Sequence, residues 1–330
     1  MTASVYPIRA EHAIVPASLR APVPVQLIDR ARGFAEHAQA DNTRRAYSSD
    51  LRDFGAFCAT HGLETLPAAP QTIALYATDL AARSKKISTI RRRLAAIAVT
   101  HRRADLDSPC SHRIVREVIR GIARTNRIPP RRVDAVALEQ LKAIILQLGA
   151  ADIGAIRDRA ILLLGFAAAL RRSEIAALQV DDVHFIKQGL LLRIARSKTD
   201  QLGEGHEIAV PFVENQALCA VRAVRAWLDA SGLTSGPLFR SLTPRRVLTD
   251  HPIEGQDVAN LVRRLAERAR LTGTFSGHSL RAGFATAAAQ AKVSLDVIMR
   301  TTRHKSLAVL QGYIRRADAF DAPALTSIIN

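Results

Sequence analysis

The chain has 330 residues, 48% of them hydrophobic and 5% aromatic, with a formal net charge of +17 and a pI near 10.9. That length can fill two cores, and a surplus made mostly of arginine attracts polyanions, whose phosphate oxygens fit the guanidinium fork. Two classes are excluded: the longest apolar run, "AILLLGFAAAL" (160–170), is about half of a membrane span, and Cys58, Cys110 and Cys219 lie too far apart for a disulfide framework or zinc cluster.

Abundant Ala, Leu and Arg with few aromatics predict a mainly α-helical protein. The N-terminus lacks the basic-then-apolar order of a signal peptide. The expected class is a cytoplasmic, nucleoid-associated protein that binds nucleic acid, with no membrane contact.

Residues 1–24 carry four prolines and no sustained period, which predicts a flexible N-terminal tail. From 25 to 125 the pattern is helical. In "NTRRAYSSDLRDFGAFCATHG" the apolar Tyr47, Leu51, Phe54 and Phe57 or Cys58 recur at helical spacing, with Asn42 or Thr43 as N-cap and Gly62 as the stop. In "SKKISTIRRRLAAIAVTHRRADL" the stripe Ile90, Leu94, Ile97 is predicted to be buried, with Arg91, Arg92 and Arg93 beside it and Lys85 and Lys86 just before. The segment 126–135 holds consecutive prolines that exclude helix, and reads as a basic linker containing Arg131 and Arg132. Residues 1–133 carry a formal +11 and the remainder +6, so both halves are expected to touch one polyanion, as a clamp around a duplex.

The second half, 136–330, opens with helices predicted at 137–148 and 155–170. A small β-sheet follows: "DVHFI", "GLLLRIA" and "HEIAVP" are strand-like, separated by Gly189 and the loop "RSKTDQLGEG". Helices resume over 215–229 and 256–270, then three short helical patterns close the chain.

Four local features bear on chemistry, and each has an ordinary explanation. Arg171 ends a long apolar helix, where an arginine commonly satisfies the last carbonyls. Lys198 lies in the turn between two strands, a usual place for a solvated lysine. His278 and Arg281 share one side of a first helical turn, beside N–H groups that favour anions. His304 and Tyr313 are nine apart, and on one continuous helix they would face opposite sides. Ser306 can cap a new helix between them, which lets both face one centre.

Together these residues form a reaction set. The sequence shows no Asp/Glu cluster suited to Mg²⁺, no H-E-x-x-H and no P-loop, so phosphoryl transfer here would draw charge stabilisation from side chains and needs no cofactor or metal. A phosphodiester gains a second negative charge on approaching its five-coordinate transition state. Two guanidinium groups can strengthen their hold as that charge grows. A tyrosine hydroxyl beside such cations and a histidine base becomes a usable nucleophile, and a lysine can protonate the departing 5′-oxygen.

The series Arg171 … Lys198 … His278-x-x-Arg281 … His304 … Tyr313 resembles the tyrosine recombinase (phage integrase) family. The text around it, "LRRSEI", "RSKTD", "GHSLRAGFAT" and "GYIRR", matches too, and the likeness spans residues 25–330, nearest the Cre-like branch. The resemblance implies a helical core-binding, SAM-like domain over 25–125 and an α+β catalytic domain over 136–330, closing as a C-shaped clamp on DNA. It implies Tyr313 as nucleophile, Arg171 and Arg281 on the scissile phosphate, Lys198 as general acid, His278 assisting proton transfer, His304 donating to the phosphate and Glu174 in support. The Leu-Arg-x-x-Glu frame selects Arg171 over Arg172. Two positions depart from the family: Ala169 and Arg303 stand where members often have glycine, and Arg303 is expected to alter only local packing.

Beyond Tyr313, the C-terminal tail 317–330 carries Leu325, Ile328 and Ile329 after Pro323. Such a tail packs on its own domain or, as in Cre-like proteins, docks into a neighbour. The second is expected, giving a homotetramer on double-stranded DNA with inverted-repeat sites. Base reading is assigned to helices carrying Arg44, Arg45, Lys85, Lys86, Arg91 and Arg92, although a solvated face accounts for those charges equally well. The expected function is site-specific recombination. A non-catalytic DNA-binding regulator and a relaxing topoisomerase are the competing readings.

Overall fold

The structure is a computed structural model that describes residues 24–37, 41–126, 133–149, 152–194 and 205–303. The chain divides into two compact units, 1–130 and 131–330.

The N-terminal unit is helical: α1 (Val25–His37), α2 (Asp41–His61), α3 (Pro70–Ala82), α4 (Ile87–Arg103) and α5 (Arg113–Thr125). Helix α2 begins at Asp41, so Asn42 and Thr43 lie in its first turn and not ahead of it. It stops at Gly62, whose φ of +63° suits glycine. Pro70 opens α3, where its missing N–H costs nothing. The predicted stripe Ile90, Leu94, Ile97 is buried against Phe54, Cys58, Ile73, Tyr76 and Leu80. The rings of Phe54 and Phe57 lie 5.0 and 5.2 Å from that of Tyr76, a usual spacing for packed aromatics.

The C-terminal unit is α+β. Helices α6 (Leu138–Leu146), α7 (Ile153–Ala167) and α8 (Arg172–Ala177) lead into strands β1 (Val183–Ile186), β2 (Gly189–Ile194) and β3 (His206–Pro211). These form an antiparallel sheet in that order, with Phe185 opposite Leu190 and Leu190 opposite Val210. Helix α9 (Ala220–Ser231) precedes a hairpin, β4 (Arg240–Leu242) with β5 (Leu248–Pro252), that sequence reasoning missed. β4 has only three residues and β5 ends in proline, so neither shows a period. Helices α10 (Gly255–Arg268), α11 (His278–Gln290) and α12 (Leu295–Thr302) complete the described chain.

The apolar run at 160–170 becomes the heart of this unit. Ala160 to Leu164 on α7 are all at most 3% exposed, so the helix is covered on nearly every face. Its partners include α9, α10 and α11. Trp227 of α9 is fully buried and donates its indole N–H to the Leu238 carbonyl at 2.7 Å, which meets the requirement that a buried donor be paired. Helix α11 packs closely against the chain that enters α6. A Cβ at Gly283 would lie 2.1 Å from the Val136 carbonyl oxygen, and the Val136 N–H donates to the Ser279 carbonyl at 3.0 Å. Among the described residues no helix is long and apolar enough to cross a membrane.

Candidate active site

The site is built on the turn between α7 and α8. The Ala169 N–H donates to the Phe166 carbonyl at 3.0 Å, and the Leu170 N–H to the Gly165 carbonyl at 2.9 Å. Closing so tightly places Ala169 at φ +48°, a left-handed backbone that a Cβ disfavours. Arg171 follows as the N-cap of α8. An arginine side chain cannot accept a capping bond, so the cap is made from the other end. Glu174 Oε2 accepts the Arg171 backbone N–H at 2.8 Å, and its Oε1 accepts the Arg171 guanidinium at 2.5 Å. One carboxylate thus starts the helix and aims the arginine. Arg172, the competing arginine, is exposed and reaches Gln256 at 3.3 Å.

Helix α11 brings the second arginine. Ser276 Oγ accepts the His278 N–H at 3.3 Å and Ser279 Oγ accepts the Ser276 N–H at 2.9 Å, an ordered helix start. The approach to α8 is close: a Cβ at Gly277 would lie 2.7 Å from the Arg172 Cβ. Arg281 is 1% exposed and donates to the Ala169 carbonyl at 2.8 Å. The edge of His278 remains exposed, yet enough protein surrounds it to matter. Loss of hydration, then the charges of Arg281, Arg171 and Arg172, hold its pKa below the ordinary 6.5. His278 is therefore neutral at pH 7 and able to accept a proton.

Arg303 departs from expectation. It ends α12 with φ +54° and is only 8% exposed. Its guanidinium donates to Glu174 Oε2 at 2.6 Å, to the Ala168 carbonyl at 3.3 Å and to the Thr301 carbonyl at 3.1 Å. The left-handed backbone expected of glycine is kept at both Ala169 and Arg303, and the added side chain enters the site instead of merely altering packing nearby. Burial lowers the Arg303 pKa against the pull of Glu174, but a guanidinium stays charged in proteins. Burial likewise raises the Glu174 carboxyl, and is outweighed by Arg303 and by both bonds from Arg171, which hold it below the usual range.

The structure therefore gathers Arg171, Glu174, His278 and Arg281 around one turn. Lys198, in the β2–β3 connection, and His304, Tyr313, Arg131 and Arg132 lie outside the described residues, as do the predicted tail 317–330 and most of 1–24. Of the residues assigned to base reading, Arg44, Arg45, Lys85 and Arg91 are exposed and Lys86 is half-buried. Arg92 is exposed as well, and forms an ion pair with the buried Asp50. Arg91 shares an open groove with Arg113, Arg116 and Arg120 of α5, which sequence reasoning passed over.

Two guanidinium groups fixed beside a neutral histidine equip a phosphoryl-transfer enzyme that works with side-chain cations. Residues 134–319 match the phage integrase family, and residues 34–104 match the phage integrase N-terminal SAM-like domain. The chain is 37% identical over 305 residues to the "Integrase/recombinase xerD homolog" of Selenomonas ruminantium, covering 91% of this chain and 89% of that one. It is 28% identical over 311 residues to the recombinase Cre of Escherichia phage P1, covering 87% and 86%. Its fold is similar to a lambda integrase crystallised as a tetramer bound to a Holliday junction, with a TM-score of 0.57, 16% identity, and coverage of 88% of this chain and 76% of that one. The chain belongs to the phage integrase family of tyrosine recombinases. It is a site-specific recombinase, an enzyme that cleaves and rejoins DNA through a covalent tyrosine intermediate.

Proposed function

We propose that Tyr313 is the nucleophile of this recombinase and that Arg171 and Arg281 grip the scissile phosphate. The Tyr313 hydroxyl attacks phosphorus, and the bond to the 5′-oxygen breaks. The phenolic proton passes to His278, Lys198 protonates the departing 5′-oxygen to leave a 5′-hydroxyl, and His304 donates to a non-bridging oxygen. The 3′-phosphotyrosyl bond keeps the energy of the phosphodiester, so a second 5′-hydroxyl can reverse the step on another strand. The observation that carries this reading is the convergence of Arg171 and Arg281 on the α7–α8 turn, with Glu174 aiming the first and the Ala169 carbonyl holding the second.

The helical domain (25–125) and the catalytic domain (136–330), joined by the basic segment 126–135 and preceded by the tail 1–24, grip double-stranded DNA at inverted-repeat sites. Arg44, Arg45, Lys85, Lys86, Arg91, Arg92, Arg131 and Arg132 contact it. Phosphate contacts supply most of the affinity, so binding falls steeply with salt. Four copies assemble on paired sites through the tail 317–330, a reading supported by its apolar Leu325, Ile328 and Ile329. Deleting 322–330 is expected to leave half-site binding intact and to abolish synapsis. The catalytic roles are tested with a nicked duplex that traps the covalent complex: wild-type protein should give a shifted protein–DNA band that Tyr313→Phe lacks. A band that persists in Tyr313→Phe would overturn the assignment.

A further inference from the structure

A guanidinium whose charge is cancelled by a carboxylate 2.5 Å away holds a phosphate weakly. Arg171 is in that position, because Glu174 accepts from it at that distance and is itself 4% exposed, out of reach of screening water. Yet Glu174 is needed where it is, since it caps α8 and aims Arg171. Arg303 addresses the conflict. It reaches in from the end of α12 and takes Glu174 Oε2 at 2.6 Å, while the Arg171 guanidinium takes Oε1. Two guanidinium groups then share one carboxylate, and the trio keeps a net positive charge. We propose that Arg303 is a positioning residue for strand cleavage, offsetting Glu174 so that Arg171 stays aimed yet keeps its charge for the scissile phosphate.

A surface arginine would not be built this way. The side chain turns inward from a left-handed backbone at φ +54°, a conformation glycine adopts freely and arginine does not. It has three carbonyl acceptors besides Glu174, from Ala168, Ala169 and Thr301, so it is held on both sides of the gap between α12 and the α7–α8 turn. A simple tether between those elements would account for the same bonds. The two roles differ in one respect: only charge compensation depends on Glu174 being ionised.

The inference rests on the role proposed for Arg171, and the test separates the two. The substrate is a nicked duplex carrying an inverted repeat selected from a randomised library by binding to wild-type protein. Arg303→Gly removes the guanidinium and relaxes the backbone, so the fold is expected to persist, as a melting curve verifies. Half-site binding should be retained, while single-turnover formation of the covalent complex slows by about tenfold or more, the scale of a unit charge in a partly shielded site. In a Glu174→Gln background, whatever that variant's own rate, the same removal should cost no more than about threefold, because no carboxylate charge is left to offset, whereas loss of a tether would cost as much there as in the wild-type background. Should R303G melt early, Arg303→Met keeps the packed stem and carries the same comparison. A wild-type rate in the folded single variant, or a cost of removing Arg303 that is as large in the Glu174→Gln background as in wild type, would overturn the role of Arg303 alone. Wild-type protein that forms no covalent complex would instead count against Arg171 and Tyr313.

Discussion

In the N-terminal unit Arg83, Arg92 and Arg93 meet Asp50, Asp53 and Asp79; in the C-terminal unit Arg171 and Arg303 meet Glu174. Three cations against three anions make a closed bracket that locks α2, α3 and α4 together. Two cations against one anion leave a charge for something else to take up. Tyrosines are treated in the same spirit. The Tyr76 hydroxyl donates to Asp53 at 2.6 Å, and burial, then that bond, pushes its pKa far up, so it stays a proton donor and never a nucleophile. Ion-paired arginine is therefore no mark of a site in itself. Surplus charge is.

Substitutions in the two clusters should separate chemistry from stability. Arg281→Met or Arg171→Met is expected to slow covalent-complex formation by about 10²–10³-fold, the effect of removing one preorganised donor, with half-site binding retained. Arg93→Met should leave the cleavage rate of bound protein unchanged and instead lower the unfolding free energy by about 2 kcal/mol, because Asp50 and Asp53 each lose one of two guanidinium partners. Urea unfolding read beside single-turnover cleavage checks both, and a reversal of the two outcomes would break the comparison.

Glu174 belongs to both worlds, since it is buried and paired and also aims a proposed phosphate ligand. Glu174→Ala should lower stability by about 3 kcal/mol and cleavage along with it. Its pKa in the folded protein lies below the ordinary 4.5. The stability it contributes is therefore full above that ordinary value and is lost as pH falls through the folded one. Acid unfolding of wild type and Glu174→Gln should converge at the acid end.

Because the His278 pKa is lowered, its neutral form prevails throughout the neutral range. Cleavage should be level from about pH 7 to 8 and decline only on acidification past the ordinary histidine value of 6.5. A rate still climbing above pH 7 by one histidine-like ionisation would remove His278 as the base. The smallest effect belongs to Ala169→Gly. Relief of a left-handed alanine, about 1 kcal/mol or more, outweighs slightly the added freedom of the unfolded chain, so the melting temperature should rise by a degree or two and cleavage should hold.

The outlines of this molecule were legible in its residues where the signal was local. The stripe Ile90, Leu94, Ile97 and the three strands around Gly189 follow from spacing, and both stand as read. What escaped depends on distant parts. Arg92 stays exposed, but its ion pair with Asp50, 42 residues earlier on α2, shows in no local pattern. Arg303 was read as a lost glycine. Its inward turn depends on α12 packing where the Ala168 carbonyl and Glu174, 135 and 129 residues away, can receive it, and no local pattern announces that. The hairpin of β4 and β5 is too short to carry a period.

The most direct measurement is to digest the trapped covalent complex and locate the nucleotide adduct by mass spectrometry. The account predicts a single phosphotyrosyl adduct, on Tyr313, joined to the 3′ end of the cleaved strand. An adduct on Tyr6, Tyr47 or Tyr76, on any other side chain, or at the 5′ end would contradict it.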